Sequence, residues 1–237
     1  MKKLLALILS FVLLLSLCAC SGGTTSQETT QTPEVSTDTN SENSTEETTT
    51  DEITLEEMLA EAEVLDHNAL SKAIYNNIVN AKSTYQGKYF IVTGPVWEIT
   101  EEYIVLSGNF RVYLPIEEIA TINLNQYITI VGRANNLSAS MTGTIVDFED
   151  ARISSTTFTY TGEYNAFHST DGTHPQGVCL KYETDSGKTD YVRLVLTDEQ
   201  RDTLTNGMEI TVEGKLFRND DDTPYSASTK LEVETIK

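Results

Sequence analysis

The chain has 237 residues, with 36 acidic side chains against 16 basic ones and a formal net charge of −20. Eight of the acids lie in residues 21–52 and two of the bases are Lys2 and Lys3, so residues 53–237 still carry 28 acids against 14 bases. A surface that binds polyanions needs a basic stripe to displace counterions, and no run of Lys and Arg follows Lys3, so charge speaks against a nucleic-acid partner. The plainer role of the surplus carboxylates is solubility.

At the N-terminus, Lys2 and Lys3 precede an apolar stretch from Leu4 to Leu15 that is too short for an ordinary membrane span. Leu17-Cys18-Ala19-Cys20 closes it. This arrangement resembles the lipobox of bacterial lipoproteins, although Cys18 stands where that family usually has Ala, Ser or Thr. The resemblance implies a signal peptide over residues 1–19, a diacylglyceryl group on Cys20, and a protein anchored to the cell membrane on its extracytoplasmic face. Two acyl chains suffice for a lasting anchor, because each buried methylene contributes about 0.8 kcal/mol. The rival reading is an ordinary secretory signal that leaves a soluble product.

Residues 20–52 differ from everything after them. Half of positions 21–52 are Ser or Thr, acids fill much of the rest, and there is no Lys, Arg or aromatic residue. So little apolar surface cannot offset the entropy of ordering, so the composition predicts a disordered acidic tether. Such a segment averages roughly 30 Å end to end and reaches about 100 Å when fully extended. O-glycosylation is compatible with this composition.

The remaining residues read as two parts, 53–154 and 155–237. Thr54-Leu55-Glu56-Glu57 is a capping box that opens a short helix. Asp66 to Tyr85 reads as one helix, with Leu70, Ile74 and Ile78 recurring every fourth residue. Lys88 to Ile99 is a long strand carrying Gly94-Pro95, a pair that suits a bend or bulge. Tyr103–Leu106 and Phe110–Leu114 are strands joined by the hairpin signal Ser107-Gly108-Asn109. Pro115-Ile116-Glu117-Glu118 starts a helix with Pro and acids in its first turn. Tyr127–Arg133 and Thr144–Ile153 supply two further strands.

The second part repeats this order. Thr157–Phe167 is its first strand, and Val178–Tyr182 pairs with Tyr191–Leu196 across Asp185-Ser186-Gly187. Thr197-Asp198-Glu199-Gln200 is another capping box, and Gly207 is placed to end the helix that follows. Glu209–Phe217 and Lys230–Ile236 complete the set. The repetition is also visible residue by residue. Ile128-Thr129-Ile130-Val131-Gly132-Arg133 returns as Ile210-Thr211-Val212-Glu213-Gly214-Lys215, and Val92-Thr93-Gly94 returns as Tyr160-Thr161-Gly162.

Five strands with a helix between the third and fourth is the order of an OB-fold, a small, partly open barrel. The predicted class is therefore mainly β: two tandem OB-fold-like five-stranded barrels, with an N-terminal helix and a disordered acidic tether. The helix leading to Asn80-Ala81, then Tyr85-Gln86-Gly87-Lys88, Val92-Thr93-Gly94-Pro95-Val96 and Ile130-Val131-Gly132, resembles the tRNA-anticodon-binding-like OB domains of bacterial lipoproteins. That resemblance covers residues 66–153; the second part shares only the layout and its Gly214 strand. It implies a fold, and a fold does not carry function with it.

OB-folds commonly bind on their second and third strands. Here that face offers Trp97, Tyr103, Arg111 and Tyr113, aromatic and guanidinium groups able to stack on bases or sugar rings. The bland alternative is that strands need aromatics for packing. Phe110, Val112 and Leu114 alternate with Arg111 and Tyr113, which places the latter pair outside the barrel core.

His168, Asp171 and His174 are of a type that holds zinc, but their spacing fits no motif and a solvated loop insertion is the simpler reading. Asn219-Asp220-Asp221-Asp222 lacks the Gly and distal Glu of a calcium loop, so an acidic turn is the default. Val178-Cys179-Leu180 reads as a buried, unreactive thiol.

No G-x-S-x-G, H-E-x-x-H or phosphate-cradling glycine loop occurs, and no cofactor is implied. The reading that results is a non-catalytic extracytoplasmic binding or adaptor module for an envelope protein or a glycan. The alternatives are a single-stranded nucleic-acid binder and a metal-binding module built on the His168 loop.

Overall fold

The same threonine pair closes both halves of the molecule. In the first half Thr93 lies opposite Thr129, with hydroxyls 2.9 Å apart; in the second Thr161 lies opposite Thr211, with hydroxyls 2.8 Å apart. These are the residues that the internal repeat aligns, so the duplicated sequence is a duplicated strand register. The structure, a computed structural model, describes residues 53–140, 143–167, 177–219 and 227–237. The described residues belong to one compact unit.

Helix α1 (Leu55–Glu61) begins at Thr54, where both bonds of the expected capping box are present. The two-residue strand β1 (Glu63–Val64) follows, pairing parallel with Phe90 and Ile91. The helix predicted over 66–85 is instead two, α2 (His67–Asn76) and α3 (Ile78–Tyr85). Asn77 breaks it. Its backbone is extended, at φ −162° and ψ 96°, and its side-chain oxygen accepts from the N–H groups of Val79 and Asn80. Asparagine competes with helical backbone bonding in this way and favours caps over interiors. The apolar face survives the break: Leu70, Ile74 and Ala81 are buried and Ile78 packs against the core.

The first barrel comprises β2 (Tyr89–Ile99), β3 (Ile104–Leu106), β4 (Phe110–Val112), β5 (Tyr127–Ser140) and β6 (Gly143–Ser155). Its order is β2-β3-β4-β6-β5, closed by β2–β5 pairing, with β4 and β6 parallel. Helix α4 (Ile116–Ile119) links the third and fourth strands. The second barrel repeats this with β7 (Phe158–Phe167), β8 (Gly177–Glu183), β9 (Thr189–Val195), β10 (Glu209–Arg218) and β11 (Thr229–Ile236). It too is closed, β9 and β11 are parallel, and helix α5 (Asp198–Asp202) sits at the equivalent place. The architecture is thus two five-stranded barrels in tandem, as the element order predicts.

Each first strand carries a glycine where its neighbour crosses closely. A Cβ on Gly94 would lie 2.9 Å from the Ser107 hydroxyl, and one on Gly162 would lie 2.2 Å from the Lys181 carbonyl oxygen. The hairpin between β3 and β4 turns through Gly108 (φ +90°) and Asn109 (φ +61°). His67 fills the space beside that glycine and stacks on Phe110 with ring centroids 4.1 Å apart, clamping α2 onto the hairpin.

Several boundaries differ from expectation. Strand β5 runs past Arg133 to Ser140 and β6 begins at Gly143, because the polar run after Gly132 finds partners across the ladder. Arg133 pairs with Asp150, Asn135 with Glu149, and Asn136 donates to Asp147 at 2.9 Å. Side-chain pairing of this kind holds a polar segment in a strand where propensity alone suggests a loop. Helix α5 ends at Asp202, before Gly207, which serves the turn into β10 with φ +84° and an N–H bond to the Tyr164 carbonyl.

Two cores result. Phe110, Phe148, Ile104, Leu106, Ile128 and Ile130 are among the buried residues that fill the first barrel; Leu180, Val192, Val212 and Leu231 are among those that fill the second. Cys179 is fully buried, and burial pushes its thiol up to about 11, consistent with an inert side chain. No helix among the described residues is long and apolar enough to cross a membrane.

Candidate functional site

On β3 and β4 the alternation works as the sequence implies. Ile104, Leu106, Phe110 and Val112 turn inward with no exposed surface, and Val105, Arg111 and Tyr113 turn outward. The rings of Tyr103 and Tyr113 have centroids 5.6 Å apart, and the Arg111 guanidinium carbon lies 5.8 Å from the centre of the Tyr103 ring. A guanidinium at that distance from a phenol face is held by the ring quadrupole. Together with Glu98 and Asn109, Tyr103 and Arg111 line a cleft of about 150 Å³.

Beneath this cluster lies Asp147, directly opposite Arg111 in the β4–β6 ladder. Its side chain is 10% exposed; Oδ2 accepts from Asn136, and Oδ1 has no hydrogen-bond partner among the described residues. Arg111 Nη1 stands 3.9 Å from that oxygen, near enough for electrostatic attraction and too far for a hydrogen bond. The carboxylate therefore attracts the guanidinium without consuming its N–H groups. Burial, and then the Asp147 charge, raise the Tyr113 phenol above its usual range, so it remains a neutral donor. Chemically, the face can stack a ring, accept or donate hydrogen bonds, and hold an anion against Arg111.

Trp97 does not join this face. The register of β2 against β3 slips between Val96 and Glu98, leaving Trp97 as the extra residue of a β-bulge. A bulge re-aims the side chain it carries, and Trp97 instead lines a second groove with Pro95, Ser107, Tyr127, Arg218 and Ser228. Of the four residues singled out in the sequence, the structure brings Tyr103, Arg111 and Tyr113 together and sends Trp97 elsewhere.

This second groove lies where the barrels meet. Phe217 at the end of β10 forms a bridge with Gln126, and the Arg218 N–H donates to the Asn125 carbonyl at 2.8 Å. Gln126 is buried, its side-chain oxygen accepting from the Asn123 backbone at 3.1 Å. Tyr127 begins β5 of the first barrel yet packs against the core of the second, edge-on to Phe158. Burial raises its phenol pKa, and the Arg218 charge partly offsets the rise. Sequence reasoning missed Tyr127 and Arg218 as site residues. The signal was present only as an aromatic and an arginine at the ends of the two repeated Gly-containing strands.

Nearby on the second barrel, Tyr160 and Tyr182 meet edge to face at 4.9 Å, and the Tyr182 hydroxyl reaches Asp190 at 3.4 Å. Burial is the main cause that lifts both phenols above their usual range. The lipidation candidate Cys20 and the metal candidates His168, Asp171 and His174 lie outside the described residues, as do Asp220, Asp221 and Asp222. Among the described residues, no three His, Cys, Asp or Glu side chains are placed to hold a metal.

A family model described as tRNA_anti-like matches residues 1–148. No curated protein matches the chain. Among solved structures, the wild-type single-stranded DNA binding protein from Thermus aquaticus is similar at 13% identity, covering 63% of this chain and 79% of that one with a TM-score of 0.25. A superposition that loose carries no argument about a shared site.

Proposed function

This chain belongs to the tRNA_anti-like family, and from that premise we propose that it is a non-catalytic binding module, tethered on the extracytoplasmic face of a membrane. Cys20 carries the lipid in this reading, and residues 21–52 hold the barrels away from the bilayer. The partner is an envelope protein or a glycan, engaged through the outer face of β3 and β4. The observation that carries this is the Tyr103–Arg111–Tyr113 cluster over buried Asp147: three outward side chains held in fixed relation, with guanidinium donors left free of the underlying carboxylate. Preorganisation of this kind lowers the entropy lost on binding.

Cross-linking in intact cells tests the proposal. A specific partner is trapped by the wild-type protein and lost in Arg111→Ala and Tyr103→Ala; the same partner in both variants removes this face from the account. Cys20→Ala moves the protein from the membrane fraction to the soluble one, and an unaltered distribution contradicts the anchor.

A nucleic-acid ligand is the rival, supported by the family's name and opposed by the acidic surplus in residues 53–237. It predicts binding to single-stranded RNA that weakens steeply as salt rises. No binding at low ionic strength dismisses it.

A further inference from the structure

The groove between the barrels has a volume of about 540 Å³, within the span of clefts that take small ligands, roughly 300–1,000 Å³. We propose that it is a second binding site, distinct from the β3–β4 face, and that it takes a short saccharide bearing a carboxylate. Three features converge on that chemistry.

The first is Trp97, which is 53% exposed although its neighbours Pro95 and Val96 are buried. The β-bulge presents the indole to the groove instead of letting it pack on the sheet. A large aromatic surface held open beside a cleft offers a platform for the C–H face of a sugar ring, an amphipathic surface of matching flatness. Next come the hydroxyls of Ser107 and Ser228, contributed by the first and second barrel respectively. They can each donate and accept, as sugar hydroxyls require.

Arg218 is the third. It is exposed, faces Tyr127, and among the described residues pairs with no carboxylate. Its backbone is pinned to the first barrel by the bond to Asn125, so the guanidinium is delivered to the groove by the barrel contact itself. A guanidinium binds a carboxylate through two parallel N–H donors. A polyanion is a poor fit here, since one arginine would face many phosphates on a protein whose folded part carries twice as many acids as bases. One carboxylate on an otherwise neutral sugar meets one arginine.

The site is complete only when both barrels are present, which also gives the tandem arrangement a purpose beyond two independent modules.

Trp97 is the only tryptophan in the sequence, so its fluorescence reads this groove alone. Full-length protein in detergent is titrated with trigalacturonate and with sialyllactose, against the neutral galactotriose and lactose. The proposal expects a saturable change with at least one acidic sugar and at least about tenfold weaker binding of its neutral counterpart. Arg218→Gln removes that preference, whereas Arg201→Gln, which removes an exposed charge on α5 that lines neither cleft, leaves it intact. Arg218 is exposed and its link to Asn125 is through the backbone, so the glutamine variant keeps the fold; unchanged thermal unfolding verifies this.

Absence of a saturable change with both acidic sugars up to about 10 mM overturns the proposal. So does equal affinity for acidic and neutral sugars, or an acidic preference that survives Arg218→Gln. Quenching by a single-stranded oligothymidylate, with none by the sugars, would reassign the groove to nucleic acid. Failure here leaves the β3–β4 reading standing, because its cross-linking test uses different residues.

Discussion

If Asp147 positions Arg111, the two should be energetically coupled, and the structure gives the size of that coupling. Two unit charges about 4 Å apart attract by roughly 4 kcal/mol at an effective dielectric of 20. Here the nitrogen–oxygen separation is 3.9 Å, the Asp147 side chain is 10% exposed and the Arg111 side chain 41%. Solvent reaches the arginine, so screening discounts the attraction to about 1–2 kcal/mol. Removing Arg111 alone leaves a buried carboxylate that, among the described residues, only Asn136 supports, whereas removing both charges leaves nothing uncompensated. Arg111→Gln should therefore cost about 1–2 kcal/mol, and in an Asp147→Asn background it should cost almost nothing. Urea unfolding of the four proteins, followed by Trp97 fluorescence, reads the first barrel, since that residue lies in β2. Equal costs of Arg111→Gln in the two backgrounds would refute the reasoning and leave Arg111 a freely moving surface side chain.

Other consequences follow from close packing and burial. Gly132 and Gly214 occupy matching places in the repeat, yet a Cβ on Gly214 would meet the Glu232 carbonyl oxygen at 2.0 Å, while one on Gly132 would meet the Ala151 Cβ at 2.9 Å. Gly214→Ala should cost about 3 kcal/mol against about 1 kcal/mol for Gly132→Ala, and thermal unfolding that ranks them equal would contradict this. Burial against Phe110 lowers the His67 pKa from its ordinary 6.5, with Asp66 and the Ser107 backbone opposing the shift. The unfolded chain thus takes up its proton first as pH falls below about 6.5, so stability drops between about pH 7 and 5.5; His67→Gln should flatten that dependence, and an unchanged slope would assign it to other groups. Cys179, with its thiol raised to about 11, should resist iodoacetamide at pH 8 in the native protein and react in denaturant. Native labelling at that residue, read by peptide mass spectrometry, would show that the second core opens readily.

The tandem barrel was legible from residue order because it rests on local rules. Capping boxes at Thr54 and Thr197, the period-two alternation around Arg111, and the recurring Thr-Gly pairs each constrain backbone within a few residues. Duplication then supplied the register twice. The helix break at Asn77 was not read from the sequence, where Leu70, Ile74 and Ile78 recur as if on one continuous helix; the Asn77 side chain caps the second helix while that stripe still reaches the core.

Sequence by itself determined the number and order of the ten barrel strands, though not the two-residue β1, together with the inward and outward faces of β3 and β4 and an acidic surplus in residues 53–237. Tertiary structure alone decided that Trp97 leaves that face through a one-residue bulge, that Asp147 lies beneath Arg111, and that Arg218 meets Tyr127 across 91 residues of chain. The physical reason is range. Alternation, capping and turn chemistry act between neighbours along the backbone, whereas a slip in strand pairing or a contact between two closed barrels depends on how whole ladders fit once their cores are filled.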